Sequence, residues 1–156
     1  MRRKDREITE MDQIEDILAN GRYLHLGMFD GDYPYVVPLH YGYEKVDDVR
    51  TFYVHCANEG HKLDCLRENS NVFVEIDRGE QLVAADIPCG YGALYESVMC
   101  KGKASIVESL PEKCRALEIL MKTQTGEEHR ISESMAEKVT VIRIDAVTCT
   151  AKARAR

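Results

Sequence analysis

The sequence lacks three features that would each point to a broad class of protein. No apolar stretch approaches the ~18 residues that a membrane-spanning helix needs. The residues after the basic start, 8–13, are too polar for the hydrophobic core of a signal peptide. The formal net charge is −6, whereas nucleic-acid binders usually carry a basic face. We therefore expect a cytoplasmic protein that binds neither a membrane nor a nucleic acid.

The sequence also lacks any C-x-x-C pair, although it contains six cysteines. Their spacing is wide, and a chain of 156 residues is large enough to fold without disulfides. We therefore expect free thiols in a reducing cytosol. The cysteines are at positions 56, 65, 89, 100, 114 and 149.

The length and composition predict one domain, residues 1–156. Apolar residues make up 44% of the chain, which is enough for a core, and there are no internal repeats. Short basic clusters lie at both ends of the chain. We expect residues 1–7 and 150–156 to be flexible, solvated tails.

Alternating apolar and β-branched residues predict six strands and leave one long segment without regular structure. Pro38 cannot donate a hydrogen bond within a sheet, which indicates an edge or an irregularity at that point. Lys101-Gly-Lys103 indicates a β-bulge. Residues 78–94 contain Gly79, Pro88, Gly90 and Gly92 and predict a long irregular loop. The predicted strands are 23–29, 34–43, 49–55, 72–76, 96–108 and 139–147.

Three helices are predicted between these strands. Thr9–Asp12 has the form of a capping box and begins the first helix, which ends at Asn20-Gly21. The second helix covers residues 57–67, with Asn58 as its N-cap. The third begins at Ser109 with a proline in its first turn and ends near Thr125-Gly126. Strands in hairpin order with inserted helices predict a mainly β (α+β) protein, a small antiparallel barrel.

The segment Phe52–Lys62 passes directly from a strand into a helix and predicts an anion site. The first turn of a helix has unpaired N–H groups and a positive dipole end. Gly60 leaves room for a phosphate, Lys62 adds a positive charge, and His55 or His61 adds a hydrogen-bond donor. From the spacing alone, an ordinary structural role for these residues at the start of a helix is the favoured interpretation.

Two segments together resemble a known family. Residues 33–43 and 52–64 are similar to the signature of the pyridoxamine-phosphate-oxidase-like FMN-binding split barrels, and specifically to their nitroimidazole-resistance branch. The segments 96–98, 102–104 and 139–145 also fit that branch. The chain has Thr150-Ala-Lys152 where members of the family often have Thr-Gly-Lys, a difference that concerns the substrate side of the pocket.

The resemblance implies a six-stranded antiparallel split β-barrel with short flanking helices. It also implies a homodimer with two FMN molecules at the subunit interface. One strand would lie along the isoalloxazine ring and offer mainly backbone hydrogen bonds, while a second group would surround the phosphate. The strand residues are Val36, Val37, Pro38, Leu39 and His40; the phosphate residues are His55, Cys56, Ala57, His61 and Lys62.

The function implied by the resemblance is that of an FMN-dependent oxidoreductase. Reduced FMN would reduce a small electrophilic substrate such as a nitroaromatic compound, with NADH or NADPH as a possible electron donor. No catalytic residue is evident, and His40 and His61 are the nearest candidates for a proton donor. The alternative is a flavin-binding or redox-sensing module without turnover. Related barrels also bind haem or a deazaflavin, so the ligand itself is part of the prediction.

Two other kinds of site compete for the same histidines and cysteines. His55, Cys56, His61 and Cys65 are close in sequence, and His61 and Cys65 share one helix face, but zinc knuckles such as C-x-x-C are lacking. We therefore expect no metal. A nucleophilic cysteine at position 56 or 65 would need a lowered thiol pKa, which a helix N-terminus and Lys62 could provide for Cys56.

Overall fold

The computed structural model describes residues 3–154, and a long hairpin of two strands lies at the centre of its sheet. All strand pairings are antiparallel, in the order β3-β2-β6-β7-β8-β5-β4, with β1 also paired to β8. The strands are β1 (Glu7–Ile8), β2 (Leu24–Asp30), β3 (Tyr33–Leu39), β4 (Gly42–Val46), β5 (Val49–Cys56), β6 (Asn71–Val83), β7 (Gly92–Ile106) and β8 (Thr140–Arg154). The helices are α1 (Met11–Asn20), α2 (His61–Glu68), α3 (Leu110–Thr125) and α4 (Glu133–Ala136).

The sheet curls because its two edge strands are consecutive in the chain. Only His40 and Tyr41 separate β3 from β4, although these strands lie at opposite ends of the sheet order. The hydroxyl of Tyr41 is buried and donates a hydrogen bond to the carbonyl of Leu18, 2.7 Å away, which fixes this corner to α1. The predicted antiparallel fold is confirmed as an open, curled sheet consistent with a split barrel.

The number of strands differs from the predicted six. The corner at Tyr41 divides the predicted strand 34–43 into β3 and β4, because the buried ring turns the chain toward the core. The two-residue strand β1 accounts for the other addition. As expected from Pro38, β3 lies at an edge of the sheet.

The core is formed by the inward-facing residues of the strands and by α1. Ile14, Ile17 and Leu18 of α1 are buried, whereas Met11 is 48% exposed. A second, smaller cluster lies between α3 and the outer face of β5 and β8; it comprises Tyr53, Val107, Ala116 and Val141. The largest fully buried side chains of this core are Tyr41, Phe52, Ile17, Leu18, Leu24, Leu26, Leu63, Ile76, Ile142, Ile144 and Val54.

The predicted loop at residues 78–94 is confirmed only for residues 84–91 and is wrong for the two flanking parts, which are strands. Strand β6 continues to Val83 and pairs with the start of β7, and the register shifts between Arg78 and Gln81. Gly79, at φ +75°, lies in this irregularity and lets the strand continue beyond it. The side chain of Arg78 donates to Glu96 at 2.7 Å and joins the two strands.

The expectation of six free thiols is also wrong. Cys100 and Cys149 are directly paired in the β7–β8 register and form a disulfide, with their Cα atoms 4.1 Å apart. The two residues are 49 positions apart in the sequence, so the pairing depends on the fold and is not visible in the spacing. The other four cysteines are free: Cys56, Cys65, Cys89 and Cys114.

The predicted tails are ordered where the structure describes them. Glu7 and Ile8 pair with Lys152 and Ala151, and β8 continues to Arg154. Each end of the chain therefore supplies the backbone hydrogen-bonding partner of the other. Residues 1, 2, 155 and 156 lie outside the described residues. No helix within residues 3–154 is long and apolar enough to span a membrane.

The helix ends agree in part with the sequence. Helix α1 ends before Gly21, α3 has a proline in its first turn, and Gly126 ends α3 at φ +76°. The predicted bulge is confirmed by the shift of register between Lys101 and Gly102. The predicted capping box is wrong, because the N-cap of α1 is Glu10 and no side chain caps that helix.

Gly42 allows β4 to lie directly against α3. A Cβ atom at this position would lie 2.6 Å from the backbone nitrogen of Leu120. We expect Gly42→Ala to reduce the free energy of unfolding by about 1–3 kcal/mol, because backbone has to move to relieve the clash. Gly27→Ala is the matched control, since a Cβ atom there would meet its nearest neighbour at 3.4 Å. Urea unfolding of both variants measures the difference; equal stabilities would contradict this account of the β4–α3 contact.

Candidate functional site

The junction between β5 and α2 has an open, uncapped helix start. The strand ends at Cys56 and the helix begins at His61, with Gly60 as its N-cap. Gly60 has φ +142° and ψ 160°, a conformation essentially restricted to glycine, and a Cβ atom there would meet nothing within 4 Å. Within residues 3–154, the amides of His61 and Lys62 have no hydrogen-bond acceptor. Backbone donors therefore face open space at this helix start.

Asn58 holds the connecting loop in place, although it does not cap the helix as predicted. Its Oδ1 accepts a hydrogen bond from the hydroxyl of Thr140 at 3.0 Å, and its Nδ2 donates to the carbonyl of Glu137 at 3.4 Å. Thr140 pairs directly with Cys56 in the β5–β8 ladder. The loop is thus attached to the start of β8, and Gly60 takes the N-cap position.

Three of the predicted site residues form a group of basic side chains beside this junction. Partial burial, and then the charges of Lys62 and His40, hold the pKa of His55 below its usual 6.5. Lys62 has no carboxylate partner among residues 3–154. His40 is anchored on the other side by the carbonyl of Arg22 at 3.2 Å and by Gln124 at 3.1 Å. The group therefore favours an added negative charge.

His61 contacts a different set of residues. Its Nε2 lies 2.8 Å from the Asp30 carboxylate, at the end of β2, and its ring packs 5.1 Å from the ring of Tyr35. Hydrogen bonding to Asp30 raises the pKa of His61. The same nitrogen lies 3.7 Å from the Sγ atom of Cys65. Ala57, also predicted to contact the phosphate, is exposed in the connecting loop.

The predicted ring-binding strand presents two different faces. Val37 and Leu39 pack against the core, whereas Val36 and Pro38 are exposed on the outer face of the sheet. Proline is tolerated in a sheet where its nitrogen points away from the partner strand. Pro34 and Pro38 therefore indicate that the even-numbered residues direct their backbone polar groups to the open edge.

The two cysteines near the junction do not have the properties of activated nucleophiles. Burial raises the pKa of the Cys56 thiol, and the opposing effect of Lys62 is smaller. Burial and the charges of Asp30 and Glu68 raise the pKa of Cys65. The alternative of a nucleophilic Cys56 required a lowered thiol pKa, and it is not supported because partial burial outweighs the nearby positive charge.

A large cavity that the sequence did not indicate lies on the outer face of the sheet. Its volume is about 930 Å³. At one end, Nδ1 of His25 lies 3.0 Å from the carboxylate of Glu75 and 3.8 Å from that of Asp77. Burial and the charge of Asp77 raise the pKa of Glu75. The apolar lining includes Met28, Phe29, Tyr33, Pro34, Val36, Phe73 and Val147.

Sequence reasoning missed this face because it joins residues from several strands. His25 and Glu75 are 50 positions apart and become cross-strand partners only in the β2–β6 register. Exposed apolar side chains at alternating strand positions were the available signal. Phe29, Val36 and Phe73 are 57%, 55% and 42% exposed, which is unusual for three neighbouring strands.

A sequence model of the pyridoxamine 5'-phosphate oxidase family matches residues 10–153, and the chain belongs to this family. Its fold resembles that of a protein of Bacteroides thetaiotaomicron whose proposed role is 5-nitroimidazole antibiotic resistance. The two chains are 32% identical, with a TM-score of 0.81 over 94% of this chain and 86% of the other.

Two further structures share the fold at lower identity. One is the flavocytochrome Anf3 of Azotobacter vinelandii, 18% identical, with a TM-score of 0.79 over 100% of this chain and 72% of the other. The second is an FAD- and heme-binding protein of Mycobacterium smegmatis, 16% identical, with a TM-score of 0.78 over 97% and 74% of the two chains. No protein with a curated functional description matches the chain.

The donors and the charge at the β5–α2 junction are of the kind that holds a phosphate group. The opening at Gly60, the two free helix amides and the side chain of Lys62 provide backbone donors and a positive charge in one place. His55 is largely neutral at pH 7, since its pKa is lowered, and it can take up a proton when an anion arrives.

The lowered pKa of His55 predicts a specific pH dependence. The unfolded chain binds a proton at this position more readily than the folded chain, so this contribution to stability is present above pH 6.5 and decreases as the pH falls below that value. NMR titration of the His55 ring measures its pKa directly. Inorganic phosphate is expected to raise that pKa, because an anion at the junction favours the imidazolium. A titration that phosphate leaves unchanged would contradict an anion site beside His55.

Proposed function

We propose that the chain is a homodimeric, FMN-binding oxidoreductase that reduces a small electrophilic substrate, such as a nitroaromatic compound. The observation that carries this proposal is the open helix start at Gly60, where the amides of His61 and Lys62 and the charge of Lys62 have no partner among residues 3–154. Membership of the pyridoxamine 5'-phosphate oxidase family supports a flavin as the ligand. The similarity to a protein named for nitroimidazole resistance supports the substrate class.

The phosphate is proposed to bind at the junction of β5 and α2. The amides of His61 and Lys62 donate to its oxygens, and Nζ of Lys62 supplies a charge-assisted contact. His55 and Cys56 form the strand side of the pocket, and Ala57 the loop side. Because the helix is uncapped, no protein hydrogen bond has to break when the anion binds.

The ring is proposed to lie along the open edge of β3. Residues Val36–His40 offer backbone groups at this edge, while β2 supports the strand from the other side. Pro34 and Pro38 prevent another strand from adding to the edge in a regular ladder. A flat ligand can therefore form hydrogen bonds with the backbone groups at this edge, whereas another strand cannot pair with it regularly.

A second copy of the chain is proposed to cover the outer face. Phe29, Val36 and Phe73 expose a continuous apolar area there, next to the edge of β3. Apolar patches of this kind are commonly buried in an interface between subunits. In the dimer, the cavity beside His25 and Glu75 becomes the enclosed space in which a substrate contacts the ring.

The bound FMN supplies the two-electron chemistry, and the chain supplies position and charge. His40 is held between the carbonyl of Arg22 and the side chain of Gln124, close to His55. This position makes His40 a candidate to donate a proton to a substrate that is bound at the end of β3. His61 is fixed by Asp30 and is the second candidate.

We expect Lys62→Ala to weaken FMN binding by about 1.5–3 kcal/mol, or roughly 10–150-fold in Kd, because it removes a charge-assisted contact. Fluorescence quenching of FMN by the apoprotein measures the affinity. Lys4→Ala is the matched control, since it removes an exposed positive charge from the N-terminal turn. Equal affinities of the two variants would mean that the phosphate lies elsewhere.

The purified protein is expected to be yellow, with flavin absorption near ~450 nm, and to be bleached anaerobically by NADH or NADPH. A nitroimidazole should then restore the oxidised spectrum. If the yellow protein is neither reduced by the nicotinamides nor, after chemical reduction, reoxidised by a nitro compound, the oxidoreductase proposal fails. The protein would then be a flavin-binding or redox-sensing module. A spectrum without flavin bands after addition of FMN would reject both functions.

A further inference from the structure

Three different metal-binding atoms converge where α2 meets the end of β2. Oδ2 of Asp30 lies 2.8 Å from Nε2 of His61, and the same nitrogen lies 3.7 Å from Sγ of Cys65. All three atoms lie within 4.8 Å of one another. We propose that Asp30, His61 and Cys65 form a binding site for a divalent transition metal of the Zn²⁺ type. The proposal does not depend on flavin binding.

The kinds of donor atom favour zinc over the hard cations. A thiolate, an imidazole and a carboxylate are the three ligand types found in protein zinc sites, whereas Mg²⁺ and Ca²⁺ prefer oxygen ligands. The cluster of His25, Glu75 and Asp77 on the outer face contains no sulfur. The thiolate of Cys65 therefore distinguishes the cluster of Asp30, His61 and Cys65 from the cluster on the outer face.

The observed distances are close to those of a tetrahedral site. With metal–ligand distances of about 2.0 Å for nitrogen and 2.3 Å for sulfur, the two ligand atoms of a tetrahedral site lie about 3.5 Å apart. The observed separation of His61 Nε2 and Cys65 Sγ is 3.7 Å. Asp30 and His61 need to separate by about 0.5 Å, because their ligand atoms in such a site lie about 3.3 Å apart. Their side chains are 43% and 56% exposed and can move by this amount.

The depth of the three side chains leaves one coordination position open. Cys65 is 3% exposed and forms the inner side of the cluster, while His61 and Asp30 reach solvent. A metal ion would thus have three protein ligands and a water molecule on its outer side, the arrangement of an open zinc site.

The charge around the cluster also favours a cation. Asp64 and Glu68 lie on the same helix as His61 and Cys65, and Asp30 is the last residue of β2. Their carboxylates place negative charge near His61 and Cys65. Lys62 and Arg67, on the same helix, carry the opposing charges, and Arg67 pairs with Asp64 at 2.9 Å. Binding of a divalent ion would release the thiol proton of Cys65, so the reaction is metal ion plus thiol giving metal thiolate plus one proton.

The proposed metal would connect two elements beside the open helix start. Asp30 is the last residue of β2, whereas His61 and Cys65 occupy the first and second turns of α2. Coordination through Nε2 places the remaining ring proton of His61 on Nδ1, where it can serve as a hydrogen-bond donor. The metal would therefore fix both the position of α2 and the tautomer of His61.

Titration of the full-length, flavin-free protein with Co²⁺ tests the site. We expect a thiolate-to-cobalt charge-transfer band, the visible bands of a tetrahedral ion, and displacement of both by Zn²⁺. Cys65→Ser should abolish the charge-transfer band and weaken Zn²⁺ binding at least ~10-fold, since the loss of a ligand costs no less than the loss of an outer-sphere partner. Cys89→Ser, at an exposed cysteine, should leave both unchanged.

Two exposed ligands keep the test decisive if Cys65→Ser does not fold. Asp30→Asn and His61→Gln should each weaken Zn²⁺ binding at least ~10-fold while the unfolding midpoint without metal stays within a few degrees. Cobalt binding without a thiolate band, or with a band that persists in Cys65→Ser, would overturn the proposal. The first result would place the ion on oxygen and nitrogen ligands such as those of His25 and Glu75.

Discussion

The backbone of Gly60 determines how strand β5 becomes helix α2. At φ +142° the chain leaves the strand, crosses a short loop and begins the helix with no side chain over its first turn. Any residue with a Cβ atom is strained in this conformation. The free amides at the helix start and the position of Lys62 both depend on this one turn.

A second constraint brings the junction and the edge of β3 to the same side of the barrel. The corner at His40 and Tyr41 joins the two edge strands, and the buried Tyr41 hydroxyl ties that corner to α1. Gln124 of α3 donates to the Tyr41 carbonyl at 2.8 Å and contacts His40 at 3.1 Å. The end of β3 is therefore next to His55, although β3 and β5 are not neighbours in the sheet.

Local signals predicted the parts of the fold that local physics decides. The glycine after α1, the proline in the first turn of α3 and the bulge at Lys101 were all recognisable because each depends on a few adjacent residues. The strand segments of the barrel were predicted from alternation, and the resemblance supplied the family. For the site, Gly60 and Lys62 were visible as a strand end followed by a helix.

Features that depend on strand register were not predictable. The disulfide of Cys100 and Cys149 and the pair of His25 and Glu75 exist because residues about 50 positions apart become cross-strand neighbours. The extension of β6 to Val83 is likewise not visible in the sequence, since glycines that continue a strand through a bulge look like glycines that end one. Asn58 likewise looked like a helix cap, because its true partner, Thr140, is 82 positions away.

FMN and riboflavin differ only in the phosphate group, so a comparison of their affinities tests whether the β5–α2 junction recognises a phosphate. Calorimetric titration of the apoprotein with FMN and with riboflavin measures the contribution of the phosphate. We expect FMN to bind at least ~10-fold more tightly than riboflavin, because charge-assisted hydrogen bonds contribute roughly 1.5–3 kcal/mol each. Equal affinities for FMN and riboflavin would contradict a phosphate site at this junction.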